Sequence, residues 1–191
     1  MFDQTPTGVF RRVFSLLVRP IAPVLLALLT VLPALAQSAN PSGLPLPRFA
    51  STRSEPINIR VGPGTKYEVA WTYLKSGIPV EIIQEFDTWR KIRDVDGAEG
   101  WVHQNLLSGT RMGYATPIAA NGEAALRASP SDDAALRARL GAGFKVTIKA
   151  CDGDWCEVTA TAQDGGQRSV NYSGFLHQAE LWGVYPDEDF D

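Results

Sequence analysis

Beyond Glu55 the chain alternates apolar and polar residues in short runs, each ended by turn-forming residues. Ile57-Asn58-Ile59-Arg60-Val61 alternates and is broken by Gly62-Pro63-Gly64. Val69 to Leu74 forms a second run ended by Ser76-Gly77, and Pro79-Val80-Glu81-Ile82-Ile83 a third, followed by a turn at Phe86-Asp87-Thr88. Trp89-Arg90-Lys91-Ile92-Arg93 alternates up to Asp96-Gly97, and Gly100-Trp101-Val102-His103 opens a last short strand. Period-two alternation puts every second side chain on one face, so each run can bury one face and wet the other. Strands this short, with turn chemistry every roughly eight to twelve residues, predict an all-β sandwich or small barrel.

The pattern occurs twice. Gly100 to Gly109 returns as Gly174 to Gly183, with Gly, His, Gln, Leu and Gly identical in register, and the two His are the only ones in the chain. Arg60 and Pro63 match Arg127 and Pro130 at a spacing of 67 residues. Leu74, Gly77, Val80, Ile82 and Trp89 match Leu140, Gly143, Val146, Ile148 and Trp155 at a spacing of 66. The closing block sits at 74, so an insertion of eight residues falls between Trp155 and Gly174, expected as a longer polar hairpin loop over 159–171. One module is used twice. The expected domains are 53–110 and 123–184, joined by a connection over 111–122 that is short enough to keep them packed or semi-rigid. The acidic tail 185–191 is expected to fray.

The N-terminus has a different character. Arg11, Arg12 and Arg19 precede an apolar run from Ile21 to Leu32, then Pro33-Ala34-Leu35-Ala36. That is the layout of an export signal over 1–36, with cleavage expected between Ala36 and Gln37. The alternative is an uncleaved anchor, the only membrane attachment the sequence offers. Residues 37–52, with Pro41, Pro45 and Pro47, read as an extended, mostly disordered spacer. Removing the three Arg and one Asp of 1–36 from totals of 18 and 21 leaves 15 basic and 20 acidic residues, a net charge of −5. An acidic chain without a basic run lacks the clustered Lys and Arg that nucleic-acid phosphates require.

The run Asn58-Ile59-Arg60-Val61-Gly62-Pro63-Gly64-Thr65-Lys66-Tyr67, with Gly77, Trp89-Arg90-Lys91-Ile92 and Gly100-Trp101-Val102-His103, resembles the bacterial SH3-like domain of the SH3b type. More closely it is similar to the double SH3-like exported proteins of proteobacteria whose function is unknown. The resemblance covers Arg53 to Gly109 well and Leu126 to Gly183 more loosely, where Arg127-Ala128-Ser129-Pro130 replaces the fuller motif. It implies two tandem, partly open β-barrels of five to six strands acting as binding modules toward peptidoglycan or an extended peptide of an envelope protein. Such modules often accompany a cell-wall hydrolase domain, for which these residues leave no stretch. The expectation is therefore a non-catalytic binding protein, periplasmic or secreted, without cofactor or metal. The competing expectation is a hydrolase-type enzyme or an accessory subunit of one.

Cys151 and Cys156 flank Asp152-Gly153-Asp154-Trp155, a tight turn between two strand-like runs. In an exported chain this reads as a structural disulfide, set against a redox pair or a free nucleophilic thiol. His103 and His177 occupy matching places, and one His per copy without further ligands at suitable spacing makes zinc a poor fit. Their expected role is structural or ligand-contacting, with the ring bonded to nearby backbone. Trp89 and Trp155 match, so core or rim packing is expected of them, as of Trp101 with Phe175. Tyr67, Trp71 and Tyr73 show no aromatic partners at Ala134, Leu136 and Ala138. Trp71 and Tyr73 share a strand face, so they form either a ligand platform or part of the packing between the copies. Tyr67, Trp71, Tyr73, Trp89 and Trp101 are the ligand-binding candidates.

Overall fold

The structure, a computed structural model, describes residues 40–118, 121–164 and 168–191. The expected signal segment 1–36 and its cleavage point lie outside these residues. The first copy comprises β1 (Arg48–Thr52), β2 (Ile57–Arg60), β3 (Val69–Tyr73), β4 (Pro79–Phe86), β5 (Trp89–Arg93), β6 (Glu99–His103) and β7 (Leu107–Ser108). The second comprises β8 (Met112–Ala115), β9 (Glu123–Arg127), β10 (Leu136–Gly141), β11 (Lys145–Asp152), β12 (Trp155–Asp164), β13 (Arg168–His177) and β14 (Leu181–Trp182). A last short strand, β15 (Asp189–Phe190), pairs with β11. The sheet orders are β3-β2-β6-β5-β4-β1-β7 and β10-β9-β13-β12-β11-β8-β14. One topology is thus repeated strand for strand, as two small partly open all-β barrels.

Each barrel has its own core, built from the alternation visible in the sequence. Ile57, Ile59, Val80, Ile82, Ile92 and Val102 fill the first. Leu126, Leu140, Val146, Ile148, Val158 and Leu176 lead the second. Gly100, which opens the closing motif, is there for space: a Cβ would come within 2.4 Å of the Ile59 side chain.

Three stretches differ from expectation. Arg48–Thr52, placed in the spacer, is β1: it pairs with β4 from Arg48↔Ile82 to Ser51↔Pro79, and with β7 at Thr52↔Leu107. Ala50, Ser51 and Thr52 are buried. Part of the connection 111–122 is likewise a strand, β8, the counterpart of β1, paired with β11 and β14. Both are short and rich in small or polar residues, so what holds them is main-chain pairing rather than a hydrophobic pattern. Each barrel therefore has seven strands rather than five or six. The tail does not hang free either. Besides β15, the Arg111 guanidinium grips Glu188 through both terminal nitrogens at 2.8 Å, and Gln178 Nε2 donates to the carbonyls of Tyr185 and Glu188.

The eight-residue insertion is mostly ladder, not loop. The β5–β6 ladder ends at Arg93↔Glu99, whose counterpart is Thr159↔Ser173; beyond it β12 and β13 stay paired out to Asp164↔Arg168. Residues 165–167 lie outside the described ones. Alternating Thr159, Thr161, Val170 and Tyr172 supply β-favouring side chains along this ribbon.

The described residues form one compact unit. Phe49 of the first copy packs edge-on to Trp182 at 5.2 Å and against Tyr185 at 4.7 Å. The Tyr185 hydroxyl donates to Glu81 at 2.9 Å, and Lys145 Nζ donates to the Ser76 carbonyl at 2.7 Å. The two copies are packed on each other.

Candidate functional site

The strand register brings Trp89 opposite His103 and Trp155 opposite His177. Neither Trp enters a core. Both are half-buried at the rim, where β5–β6 and β12–β13 meet the loop after β2 or β9. In the first copy this rim is an open groove of about 240 Å³, lined by Asn58, Arg60, Thr65, Trp89, His103 and Leu106. The Trp89 and His103 rings stand edge to face at 5.6 Å. His103 Nδ1 accepts from the Asn105 backbone N–H at 3.3 Å, the expected backbone bond, which leaves the ring proton on Nε2.

In the second copy a carboxylate stands at the same place. Asp132, the counterpart of Thr65, reaches His177 Nε2 at 2.9 Å and lies 4.0 Å from Arg127 Nε. The His177 ring lies 3.8 Å from Trp155, tilted by 31°. His177 therefore bonds to a side chain, not to backbone. That hydrogen bond is the main reason the exposed Asp132 carboxyl falls below the usual range.

Tyr67, Trp71 and Tyr73 sit elsewhere. Tyr67 props the turn after β2: a Cβ on Gly62 would come within 2.5 Å of its ring. Trp71 and Tyr73 are half-buried and pack against the first core, 6.1 Å apart and edge to face. The ladders correct the alignment here. Tyr73 faces Ile57 as Leu140 faces Ala124, and Trp71 faces Ile59 as Ala138 faces Leu126. Tyr73, not Leu74, thus takes the place of buried Leu140, and Leu74 is exposed. Trp101 lies beside Lys91 and Arg60 in the ladder, half-buried.

A second, larger cavity of about 420 Å³ lies under the N-terminal segment, lined by Arg48, Arg90, Gln104 and Ser108 among others. Its charges are already spent. Glu85, with no exposed side-chain surface, meets both Arg48 and Arg90 and accepts from Ser42 N and Oγ. Burial alone would raise the Glu85 carboxyl, but the bonds from Ser42 and Arg48 outweigh it and hold it below the usual range. Arg90 also donates to Gln104. In the second copy Cys151 and Cys156 stand where Glu85 and Arg90 stand in the first, and they form a disulfide. Neither thiol is free to act as a nucleophile. Sequence reasoning missed Arg60 and Thr65 as groove residues. Their signal was present in the Arg60/Arg127 match, read with Thr65 against Asp132 at the same spacing.

Among solved structures the chain is similar to NlpC2 of Trichomonas vaginalis, at 14% identity and a TM-score of 0.30, over 75% of this chain and 51% of that one. NlpC1 of the same organism is similar at 15% identity and a TM-score of 0.29, over 72% and 46%. The chain spans about half the length of these proteins. No curated protein matches it. Residues 53–109 and 120–183 each match the family described as bacterial SH3 domain, and β1 and β8 lie just ahead of the two matched segments. With its repeated topology, paired cores and matching rims, the chain belongs to the bacterial SH3 domain family, carrying the domain twice in tandem.

Proposed function

We propose that this chain is a non-catalytic, exported binding protein of the cell envelope. Its ligand is peptidoglycan, held through the peptide stem in the Trp89–His103 groove of the first copy. The observation that carries the proposal is the difference between the two rims: the first is an open groove over an aromatic floor, and the second carries its own carboxylate, Asp132, bonded to His177. An aromatic floor ringed by a few directed donors gives contact area at low entropic cost, with hydrogen bonds to fix orientation. Residues 1–36 would direct export, leaving Gln37 as the first residue of a periplasmic or secreted chain. The Cys151–Cys156 disulfide supports an oxidising compartment. Family membership supports a binding module, and the engagement of both cysteines counts against a thiol hydrolase.

Co-sedimentation with purified sacculi tests this reading. The protein is expected to pellet with intact sacculi and to be lost from sacculi whose stems have been removed by an amidase. Equal retention on the stripped glycan would move the ligand to the sugar backbone. Protein left in the supernatant in both cases would contradict peptidoglycan binding and point to a peptide of an envelope protein.

A further inference from the structure

We infer that the open groove of the first copy is a carboxylate-binding subsite, and that Asp132 marks in the second copy where the ligand's carboxylate sits in the first. The inference rests on reading that groove as the binding surface. Its force comes from a comparison the molecule makes with itself. Arg60 and Arg127 are used alike: each donates one terminal nitrogen to a loop carbonyl seven residues on, Tyr67 at 2.7 Å and Ala134 at 3.0 Å. Arg60 lines the first groove, and Arg127 turns its Nε edge toward Asp132. In the second copy that edge and His177 Nε2 both face the Asp132 carboxylate.

In the first copy the same two donors remain, and the carboxylate does not. Thr65 stands at the position of Asp132, by the spacing of 67 that relates Arg60 to Arg127. Among the described residues no carboxylate pairs with Arg60. His103 Nε2 carries the ring proton, because Nδ1 accepts from Asn105, so it donates to an incoming anion. A guanidinium and an imidazole N–H lining one groove together offer a charge-assisted carboxylate seat. Thr65, which lines the same groove, brings a hydroxyl as a further donor. The rings record the difference as well. His177, bonded to Asp132, lies over Trp155 at 3.8 Å, whereas His103, bonded to the Asn105 backbone, stands edge to face with Trp89 at 5.6 Å. The occupant is a carboxylate of a peptide, either its C-terminus or an acidic side chain.

The test is a chemical-shift titration of the full chain with N-acetyl-D-alanine, with N-acetyl-glutamic acid α-amide, and with the amide of each. At least one acid is expected to shift the Trp89 and His103 ring signals, and its amide to bind about tenfold or more weakly. The stronger acid identifies the source, terminal or side-chain. Thr65→Asp should close the first groove and abolish those shifts. Asp132→Thr should open the second, adding new shifts at Trp155 and His177 with the same acid. A gained second site cannot arise from misfolding. Acids and amides binding alike, no response at His103, or an unchanged Thr65→Asp variant would each overturn the subsite. A chain that binds the acid but not sacculi keeps the subsite and loses the peptidoglycan reading. One that binds sacculi but neither acid loses the subsite alone.

Discussion

Glu85 shows at the residue scale how the first barrel handles a charge in its interior. Its side chain is fully buried, and two guanidiniums and Ser42 satisfy it. Removing one member of such a buried set leaves the others uncompensated, which costs far more than the set contributes over apolar residues. Glu85→Gln is expected to lower stability by roughly 3–5 kcal/mol, read from the urea midpoint at unchanged slope. A loss of under about 1 kcal/mol would mean the cluster is solvated in the manner of a surface pair. The same scale shows what the sequence could and could not say about single residues. Trp89 and Trp155 were legible as a matched pair expected in core or rim packing; their place at the rim beside a His comes from the strand register. The packing of Trp71 and Tyr73 against the first core was not legible because a ladder irregularity in β2–β3 and another in β9–β10 shift the register. A constant spacing then pairs Leu140 with Leu74 rather than Tyr73. Their aromatic character reflects core filling where the second copy uses Ala138 and Leu140.

At the scale of elements, the β4–β5 and β11–β12 hairpins are fastened at the same point by different chemistry. Glu85 faces Arg90 in one, and Cys151 is bonded to Cys156 in the other. The six-residue disulfide loop is worth about 2 kcal/mol in the chain-entropy account. Cys151→Ser with Cys156→Ser should lower stability by that amount, read from the urea midpoint at unchanged slope, while leaving carboxylate binding at the first groove intact. Unchanged stability would show that the main-chain ladder holds the hairpin alone. The equivalence also predicts that Glu85→Cys with Arg90→Cys forms a cross-link on oxidation, detected as loss of both free thiols; persistent thiols would show that the hairpins are not superposable there. The strands legible in the first copy were β2 to β6, each marked by alternating residues and bounding turn residues. β1 and β8 were not, because Phe49-Ala50-Ser51-Thr52 and Met112-Gly113-Tyr114-Ala115 carry no strong alternation. What defines them is the pair of neighbouring strand edges they satisfy.

At the scale of the whole molecule, the tail fastens the second barrel and touches the first. Glu188 is held by Arg111, and Tyr185 reaches Glu81 and Phe49 across the contact between copies. Burial would raise the Glu188 carboxyl, but the Arg111 bonds and the Tyr185 N–H outweigh it and lower it. A carboxyl lowered in the folded state adds stability above its ordinary range and loses it as pH falls through the folded value. The thermal midpoint of the wild type should therefore drop more steeply with acid than that of Glu188→Gln; parallel curves would show that the latch contributes nothing. The tandem architecture was legible from the repeat, whereas this latch was not, since an acidic C-terminal run resembles a solvated tail until its Arg partner is seen. On the proposed reading, two copies of one barrel have divided their roles, one rim open to ligand and one carrying its own carboxylate. Sacculus co-sedimentation of Trp89→Ala beside Trp155→Ala tests that claim most directly. The account predicts that Trp89→Ala is lost from the pellet by about tenfold or more while Trp155→Ala stays with the sacculi as the wild type does. Equal loss in both variants, or in neither, would contradict it.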